Sequence, residues 1–147
     1  MEQPIAVKKL RPGARLPVYG SAQAAGADLF ACLEAPVTVA PGETAWIPTG
    51  LAMELPAGYV GLVYARSGLA TKQGLAPANK VGVVDADYRG ELLVALYNHG
   101  PAPRTVEDGD RVAQLVVTPY LTGRFYEAED LSPTQRGAGG FGSTGRN

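Results

Sequence analysis

The sequence has only one cysteine, Cys32, and one histidine, His99, among its 147 residues. One cysteine excludes an intramolecular disulfide framework, and the two residues are too few for a Cys/His zinc site. No run approaches the ~20 consecutive apolar residues that a membrane-spanning helix needs. The formal net charge of −1 argues against a general nucleic-acid-binding protein, because such proteins usually carry a basic face. A small anionic ligand stays compatible with this charge, because a few focused arginines suffice.

The composition is that of one globular domain with a sizeable core, since 46% of the residues are apolar and 18% are charged. The N-terminal stretch "MEQPIAVKKLRPGARLP" (1–17) lacks an apolar signal segment and is interrupted by prolines. We therefore expect a cytoplasmic protein that binds neither membrane nor nucleic acid.

Nineteen glycines and twelve prolines divide the chain into short segments. Several segments are rich in β-branched or aromatic residues and end at turn-forming residues, as strands do. Without strand–helix–strand spacing, they indicate an all-β, jelly-roll-like barrel. In "RVAQLVV", alternation places Val112, Gln114 and Val116 on one face, opposite Ala113, Leu115 and Val117. The strand pattern stops near residue 130. The predicted strand segments are "VTVA", "ETAWIP", "LAMEL", "YVGLVYA", "KVGVV", "ELLVALYN" and "RVAQLVV".

The segment "YARSGLATKQG" (64–74) predicts the only helix, capped by Ser67 and ended by Gly74. Arg66 offers a bidentate donor fork suited to phosphate. Gly68, without a side chain, would let a phosphate approach the backbone at the start of the helix. Taken by itself, the segment is better explained as an ordinary capped helix with a surface arginine.

The segment "NKVGVVDADYRGELLVALYN" (79–98) predicts two strands joined by a tight turn. Asp85 follows an apolar strand, where partial desolvation can produce a general base. Asp87 is interpreted as a turn residue. Tyr88 is either a core aromatic or a platform for a sugar or base. Asn79 offers the donor and acceptor that a nucleobase edge requires, although a structural role is equally open.

The segment "TQRGAGGFGSTG" (134–145) contains two glycine patterns that fail on context. Gly137, Gly139 and Gly142 spell the dinucleotide fingerprint, but no helix and no acidic residue can follow them. A Walker A spacing is also approximated, with Ser143 where lysine is needed. On its own the segment is read equally well as a flexible terminus.

Five segments in order closely resemble the five motifs of the trimeric dUTP diphosphatases (dUTPases). They are "AGADLFA" (25–31), "ARSGLA" (65–70), "VGVVDADYRGE" (81–91), "GDRVAQLVV" (109–117) and "RGAGGFGSTG" (136–145). The resemblance implies a jelly-roll-like β-barrel with a flexible glycine-rich arm, in a homotrimer with shared active sites. It divides the chain into a nucleotide-binding barrel (1–133) and a C-terminal lid (134–147).

The resemblance also implies roles for individual residues. Asn79 and the backbone of Val83, Val84 and Leu93 would meet uracil, and Tyr88 would pack on deoxyribose and reject a 2′-hydroxyl. Phe141 would stack over the base. Phosphate contacts are implied for Arg66, Ser67, Gly68, Gln114, Arg136, Gly142, Ser143 and Thr144. Asp110 and Arg111 belong to the fourth motif, but a structural role at the turn and strand end is equally compatible.

The implied reaction is hydrolysis of dUTP to dUMP and pyrophosphate by in-line attack of water on the α-phosphorus. Asp85 would activate the water, and Mg²⁺ would bridge the phosphates, with Asp28 reaching the metal through water. Such an enzyme supplies dUMP for thymidylate synthesis and keeps uracil out of DNA.

Three alternatives remain at this stage. dCTP deaminase shares the fold, but the "VDADYRG" and "RSGLATKQG" segments fit the diphosphatase better. A nucleotide-sensing protein would not need Asp85. A purely structural jelly roll would make the order of the five motifs a coincidence.

Overall fold

The computed structural model describes residues 2–143 and 145, and the predicted phosphate contact Thr144 lies outside them. Within this part of the chain there are twelve strands and one short helix. The elements are β1 (Ala6–Lys9), β2 (Val18–Tyr19), β3 (Ala27–Phe30), β4 (Val37–Val39), β5 (Thr44–Pro48), β6 (Leu51–Glu54), β7 (Tyr59–Tyr64), α1 (Ser67–Gln73), β8 (Leu75–Pro77), β9 (Gly82–Val84), β10 (Leu93–Asn98), β11 (Arg104–Val106) and β12 (Arg111–Pro119).

The strands pair antiparallel in four sheets, so the prediction of an all-β, jelly-roll-like class with one short helix is confirmed. The largest sheet has the order β2-β3-β12-β7-β9, and a second has the order β5-β10-β8. The pairs β1-β6 and β11-β4 complete the set. Among the described residues, the ladders form these separate sheets and do not close into one continuous barrel.

The hydrophobic core lies between the sheets and draws one or two residues from most strands. Fully buried side chains include Leu29, Ile47, Leu75, Leu96 and Val112. Burying a side chain of this size contributes about 1.5–3 kcal/mol to folding. The core therefore holds in place the sheets whose strand ends carry the candidate site residues.

Each of the seven segments predicted as strands contains a strand in the structure. The sequence reasoning missed β1, β2, β3, β8 and β11, none of which exceeds four residues. Segments this short carry little periodicity, so only their pairing partners define them. The alternation predicted in β12 fails at Val112, which is buried like Ala113, because the register shifts between Arg111 and Ala113.

The prediction that Ser67 caps the helix is wrong, although the end of the helix at Gly74 is confirmed. Arg66 occupies the N-cap position with an extended backbone, and no side-chain hydrogen bond caps the helix. Ser67 is the first helical residue, and its carbonyl accepts a hydrogen bond from the Thr71 hydroxyl. Gly74 is left-handed with φ of 73°, a conformation that costs glycine no Cβ clash.

The expectation of a β-hairpin over residues 79–98 is also wrong. β9 pairs with β7, whereas β10 pairs with β5 and β8, so the two strands belong to different sheets. The connection between them, Asp85–Leu92, is named here the β9–β10 loop. Buried partners on two sheets determine this arrangement, which a local strand–turn–strand pattern cannot distinguish from a hairpin.

Regular structure ends earlier than the sequence suggested, since the last strand stops at Pro119. The segment 120–143 is almost entirely exposed and contains neither strand nor helix. Across the described part of the chain, no helix is both long enough and apolar enough to span a membrane.

Candidate active site

The central strand β12 brings the first, second and fourth motifs together. Its Gln114 pairs with Asp28 on β3 and with Tyr64 on β7. Because β7 ends at Tyr64, Arg66 emerges next to Asp28. Asp28, Arg66 and Gln114, which are distant in sequence, thus meet at the three interior strands of the five-stranded sheet.

Asp28, on β3, forms ion pairs with two arginines. Arg66 Nε lies 2.8 Å from Asp28 Oδ1, and Arg111 Nε lies 3.3 Å from Oδ2. The Asp28 side chain is only 16% exposed, and a carboxylate so little hydrated needs charged partners. Only Nε of Arg66 is used in this pair, so its terminal nitrogens can donate to another anion.

Gln114 is fixed between the first and second motifs. Its Nε2 donates to the Ala65 carbonyl at 2.8 Å. A Cβ added to Gly26 would lie 2.2 Å from Gln114 Oε1 and would displace the amide of that side chain. The first-motif glycine therefore lets Gln114 keep its hydrogen bond to Ala65.

A cavity of about 570 Å³, named here the arginine cavity, lies beside these residues. It contains Arg15, Arg66, Lys72 and Arg111 against the single carboxylate of Asp110, a balance that favours an anionic ligand. A Cβ at Gly68 would meet nothing within 4 Å. The lining residues are Arg15, Phe30, Arg66, Gly68, Leu69, Lys72, Gln73, Leu75, Thr105, Val106, Gly109, Asp110, Arg111 and Val112.

A second cavity of about 250 Å³, named here the loop cavity, lies between β9, β10 and the β9–β10 loop. It gathers all six residues predicted for the base, the sugar and the reacting water: Asn79, Val83, Val84, Asp85, Tyr88 and Leu93. The other lining residues are Leu29, Trp46, Val63, Pro77, Gly82, Glu91, Leu92, Val94 and Ala95.

Asp85 is exposed in the single chain, so the desolvation expected from its place after an apolar strand is not found. Its main-chain carbonyl accepts a hydrogen bond from Tyr88 N–H at 3.1 Å, which shapes the start of the β9–β10 loop. Tyr88 is 45% exposed, and its hydroxyl donates to the Glu91 carbonyl at 2.8 Å. Its ring is therefore held at the cavity wall and is not a core aromatic.

The far end of this loop is anchored by charge. Glu91 Oε1 accepts hydrogen bonds from Gly50 N–H at 2.8 Å and from the Arg11 guanidinium. The hydrogen bond to Glu91, followed by one to the Cys32 sulfur, raises the pKa of Arg11 above its ordinary value. These contacts therefore favour the charged form of Arg11.

Two groups of predicted residues remain apart in the single chain. The arginine cavity and the loop cavity have no lining residue in common. Ser67 is exposed and lines neither cavity.

The predicted tail residues form only local turns. Arg136 Nε donates to the Gly139 carbonyl at 2.6 Å, and Ser143 N–H donates to the Gly140 carbonyl. Phe141 is fully exposed, and Gly142 is exposed as well. Neither cavity is lined by a described residue of the tail.

The donor set is compatible with an outer-sphere role toward a divalent metal. Within residues 2–143 and 145, no three His, Cys, Asp or Glu side chains cluster closely enough to hold an ion directly. Oδ1 of Asp28 accepts a hydrogen bond from Arg66, and Oδ2 forms an ion pair with Arg111, so the carboxylate keeps lone pairs that can accept from a metal-bound water. Asp28 therefore fits the predicted contact through water.

Sequence reasoning missed Gly26, Arg11, Glu91 and Trp46. Gly26 lies inside the first motif, "AGADLFA", but it was assigned no function. Arg11 and Glu91 are 80 positions apart, so no local pattern could pair them. Alternation along β5 could have identified Trp46 as an outward-facing residue, since its side chain is 67% exposed.

Comparison with known proteins bears directly on these observations. The dUTPase family model matches residues 13–145. A deoxyuridine 5′-triphosphate nucleotidohydrolase of Desulfitobacterium hafniense is 58% identical over 132 residues, which cover 89% of this chain and 87% of the relative. A protein of the same name from Anaeromyxobacter sp. is 50% identical, over 97% of this chain and 99% of the relative.

Solved structures agree with the sequence comparisons. A point mutant of the Staphylococcus bacteriophage 80alpha dUTPase with dUpNHpp superposes with a TM-score of 0.90 at 30% identity, covering 99% of this chain and all of that one. A mutant dUTPase from phage phi11 of S. aureus, described with a structural Mg(II) ion, gives a TM-score of 0.80 at 28% identity, covering 89% of this chain and all of that one. With its motifs on the matching fold, this chain belongs to the dUTPase family.

Proposed function

We propose that this enzyme hydrolyses dUTP to dUMP and pyrophosphate at sites shared between the chains of a homotrimer. One observation carries the proposal: the loop cavity gathers the six residues expected around the base, sugar and attacking water. The arginine cavity supplies the complementary charge for a triphosphate. Each chain thus presents two parts of a site, and a neighbouring chain would complete each part.

The loop cavity fits a deoxyuridine. The Asn79 amide would hydrogen-bond the base edge, and the backbone of Val83, Val84 and Leu93 would line the uracil. A close backbone fit would exclude the 5-methyl group of thymine. The Tyr88 ring, held through its hydroxyl, would pack on the deoxyribose and leave no room for a 2′-hydroxyl.

The arginine cavity fits the phosphates. Arg66, oriented by Asp28, would donate through its terminal nitrogens to phosphate oxygens. The open space at Gly68 would admit the phosphate to the backbone. Ser67 and Gln114, which do not line this cavity in the single chain, would add neutral hydrogen bonds once the site is assembled.

The chemical step assigns one function to Asp85. Its carboxylate would accept a proton as a water oxygen attacks the α-phosphorus. The bond from that phosphorus to the bridging oxygen would break, and pyrophosphate would leave with the electron pair. Asp28 would hold Mg²⁺ through water, and the metal would supply positive charge that offsets the charge of the triphosphate. Arg66 would stabilise the charge developing on the phosphates.

The exposed segment 120–143 supports assembly with other chains. Large apolar side chains are exposed along it: Leu121, Phe125, Tyr126 and Leu131 are each more than 80% exposed. Such exposure is unusual unless a partner covers these side chains.

We propose that the chain divides functionally into a barrel, residues 1–133, and a lid, residues 134–147. In the lid, Arg136, Gly142, Ser143 and Thr144 would bind phosphates and Phe141 would stack over uracil. A cytoplasmic enzyme of this kind would supply dUMP for thymidylate synthesis and keep uracil out of DNA.

The substrate class is tested with a panel of nucleotides. With Mg²⁺, the protein should convert dUTP to dUMP and pyrophosphate and strongly prefer it to dTTP, dCTP and UTP. Product analysis by anion-exchange chromatography measures this. Ammonia release from dCTP would instead identify a deaminase, and tight binding without turnover would identify a nucleotide sensor.

Asp85→Asn should lower kcat by ~10²–10⁴-fold, because an amide cannot accept the proton of the attacking water. Nucleotide binding, measured by calorimetry, should persist. Asp87→Asn in the same exposed loop is the matched control and should retain turnover. Near-normal turnover of Asp85→Asn would refute the assignment of the base.

Shared sites predict complementation between two inactive variants. Asp85→Asn and Arg66→Ala should each form inactive trimers, as checked by light scattering and turnover. Co-expressed, they should recover activity in about a quarter of the sites by random assortment, since one chain supplies Arg66 and another supplies Asp85. If each chain carried a whole site, the mixture would stay as inactive as its components.

Deleting residues 134–147 should nearly abolish turnover, because the lid would no longer bind the phosphates or cover the base. The barrel and the trimer should persist, since the described residues of this segment, 134–143 and 145, form hydrogen bonds only with one another. Circular dichroism and light scattering monitor the assembly. Normal turnover of the truncated protein would show that the tail has no part in the reaction.

A further inference from the structure

The β9–β10 loop carries Asp85 and Tyr88, yet no sheet ladder joins its two flanking strands. β9 belongs to the sheet of β7, and β10 to the sheet of β5 and β8. Without a ladder between its flanking strands, the loop needs other contacts to hold a fixed shape. A fixed shape matters here, because a functional site depends on supporting residues that lock its side chains in place.

The C-terminal end of the loop is bound to the segment Thr49–Leu51. Leu92 N–H donates to the Leu51 carbonyl at 2.8 Å, and Thr49 N–H donates to the Leu92 carbonyl at 3.2 Å. The fully buried Thr49 hydroxyl donates to the same carbonyl at 2.7 Å. Leu92 is therefore fixed, and Glu91 is the first loop residue outside this anchor.

The Glu91 carboxylate extends the anchor toward the N-terminal strand. Its Oε1 accepts from Gly50 N–H and from Arg11. Gly50 is held at φ of 69°, and a Cβ there would lie 2.8 Å from Ala14 Cβ. Because crowding fixes this turn, Oε1 of Glu91 is held by a rigid donor, Gly50 N–H, and by the charge of Arg11.

The main chain of Glu91 in turn holds the aromatic ring. Tyr88 hydroxyl donates to the Glu91 carbonyl at 2.8 Å. A Cβ at Gly90 would lie 2.5 Å from the Tyr88 hydroxyl oxygen, so glycine at 90 lets the ring lie back against the loop. The position of the ring thus depends on where Glu91 is held.

We propose that the Arg11–Glu91 ion pair is a positioning device that sets the Tyr88 ring in the loop cavity and so determines discrimination against ribonucleotides. The inference rests on the proposed function, in which Tyr88 packs on the deoxyribose. Glu91 is a positioning residue: its side chain acts on the substrate through Tyr88.

The loop offers a matched control pair. Arg89 also pairs with an acid, Glu54, at 3.5 Å, but these side chains are 54% and 65% exposed. Exposed pairs contribute little, because water and salt screen them. The Glu91 side chain is only 22% exposed, so loss of its partner leaves a poorly hydrated charge and displaces the loop.

The experiment compares kcat/KM for dUTP and UTP in the full-length protein. Glu91→Gln and Arg11→Ala should each lower the dUTP/UTP ratio by about tenfold, less than the ~10²-fold cost of a 1 Å misplacement. Glu54→Gln should leave the ratio unchanged. If Glu91→Gln fails to fold, Arg11→Ala tests the same prediction, because the Arg11 side chain is 38% exposed.

A double variant separates positioning from general stability. Tyr88→Phe removes the hydroxyl that contacts Glu91 and should itself lower the ratio. Adding Glu91→Gln to Tyr88→Phe should change the ratio no further, because the linking hydrogen bond is already absent. Additive losses would overturn the inference.

Tyr88→Ala distinguishes failure of the inference from failure of the proposed function. Increased UTP turnover by Tyr88→Ala, with an unchanged ratio for Glu91→Gln and Arg11→Ala, would overturn the positioning role alone. An unchanged ratio in Tyr88→Ala would refute the proposed sugar contact, and the inference with it.

Discussion

The ladder that holds β12 between β3 and β7 is the constraint on which the site depends. Its register places Gln114 opposite Asp28 on one side and Tyr64 on the other. A one-residue slip would turn the side chain of Gln114 to the opposite face and bury a polar amide in place of Leu115. The ion pair of Asp28 with Arg66 and the fit of Gln114 against Gly26 both follow from this register.

The β9–β10 loop depends on a different kind of support. Its flanking strands are fixed by two sheets, and its shape is fixed by hydrogen bonds to Thr49, Gly50 and Arg11. The rigid sheets thus supply the cavity walls, while a few polar contacts set the groups that would act on the ligand. Asp85 and Tyr88 are therefore exposed to a ligand, while the loop that carries them is held in one shape.

The proposed homotrimer with shared sites accounts for the separation of the two cavities in one chain. Arg66 and Asp85 line different cavities, and the apolar side chains of Leu121 and Phe125 stand in solvent. In the proposed homotrimer, neighbouring chains would cover the exposed segment 120–143 and would bring the two cavities of different chains together. Asp85 would then gain, from a neighbour, the desolvation that the single chain does not give it.

The sequence alone determined the class of fold, the strand segments with strong β-branched character and the identity of the motif residues. It determined these because strand propensity, turn residues and motif spacing are local properties. Tertiary structure decided that β9 and β10 lie in different sheets and that Arg66, not Ser67, occupies the N-cap position of the helix. It also decided that Arg11 pairs with Glu91. These features depend on contacts between distant segments, whose choice of partner is made by burial and register rather than by any local pattern.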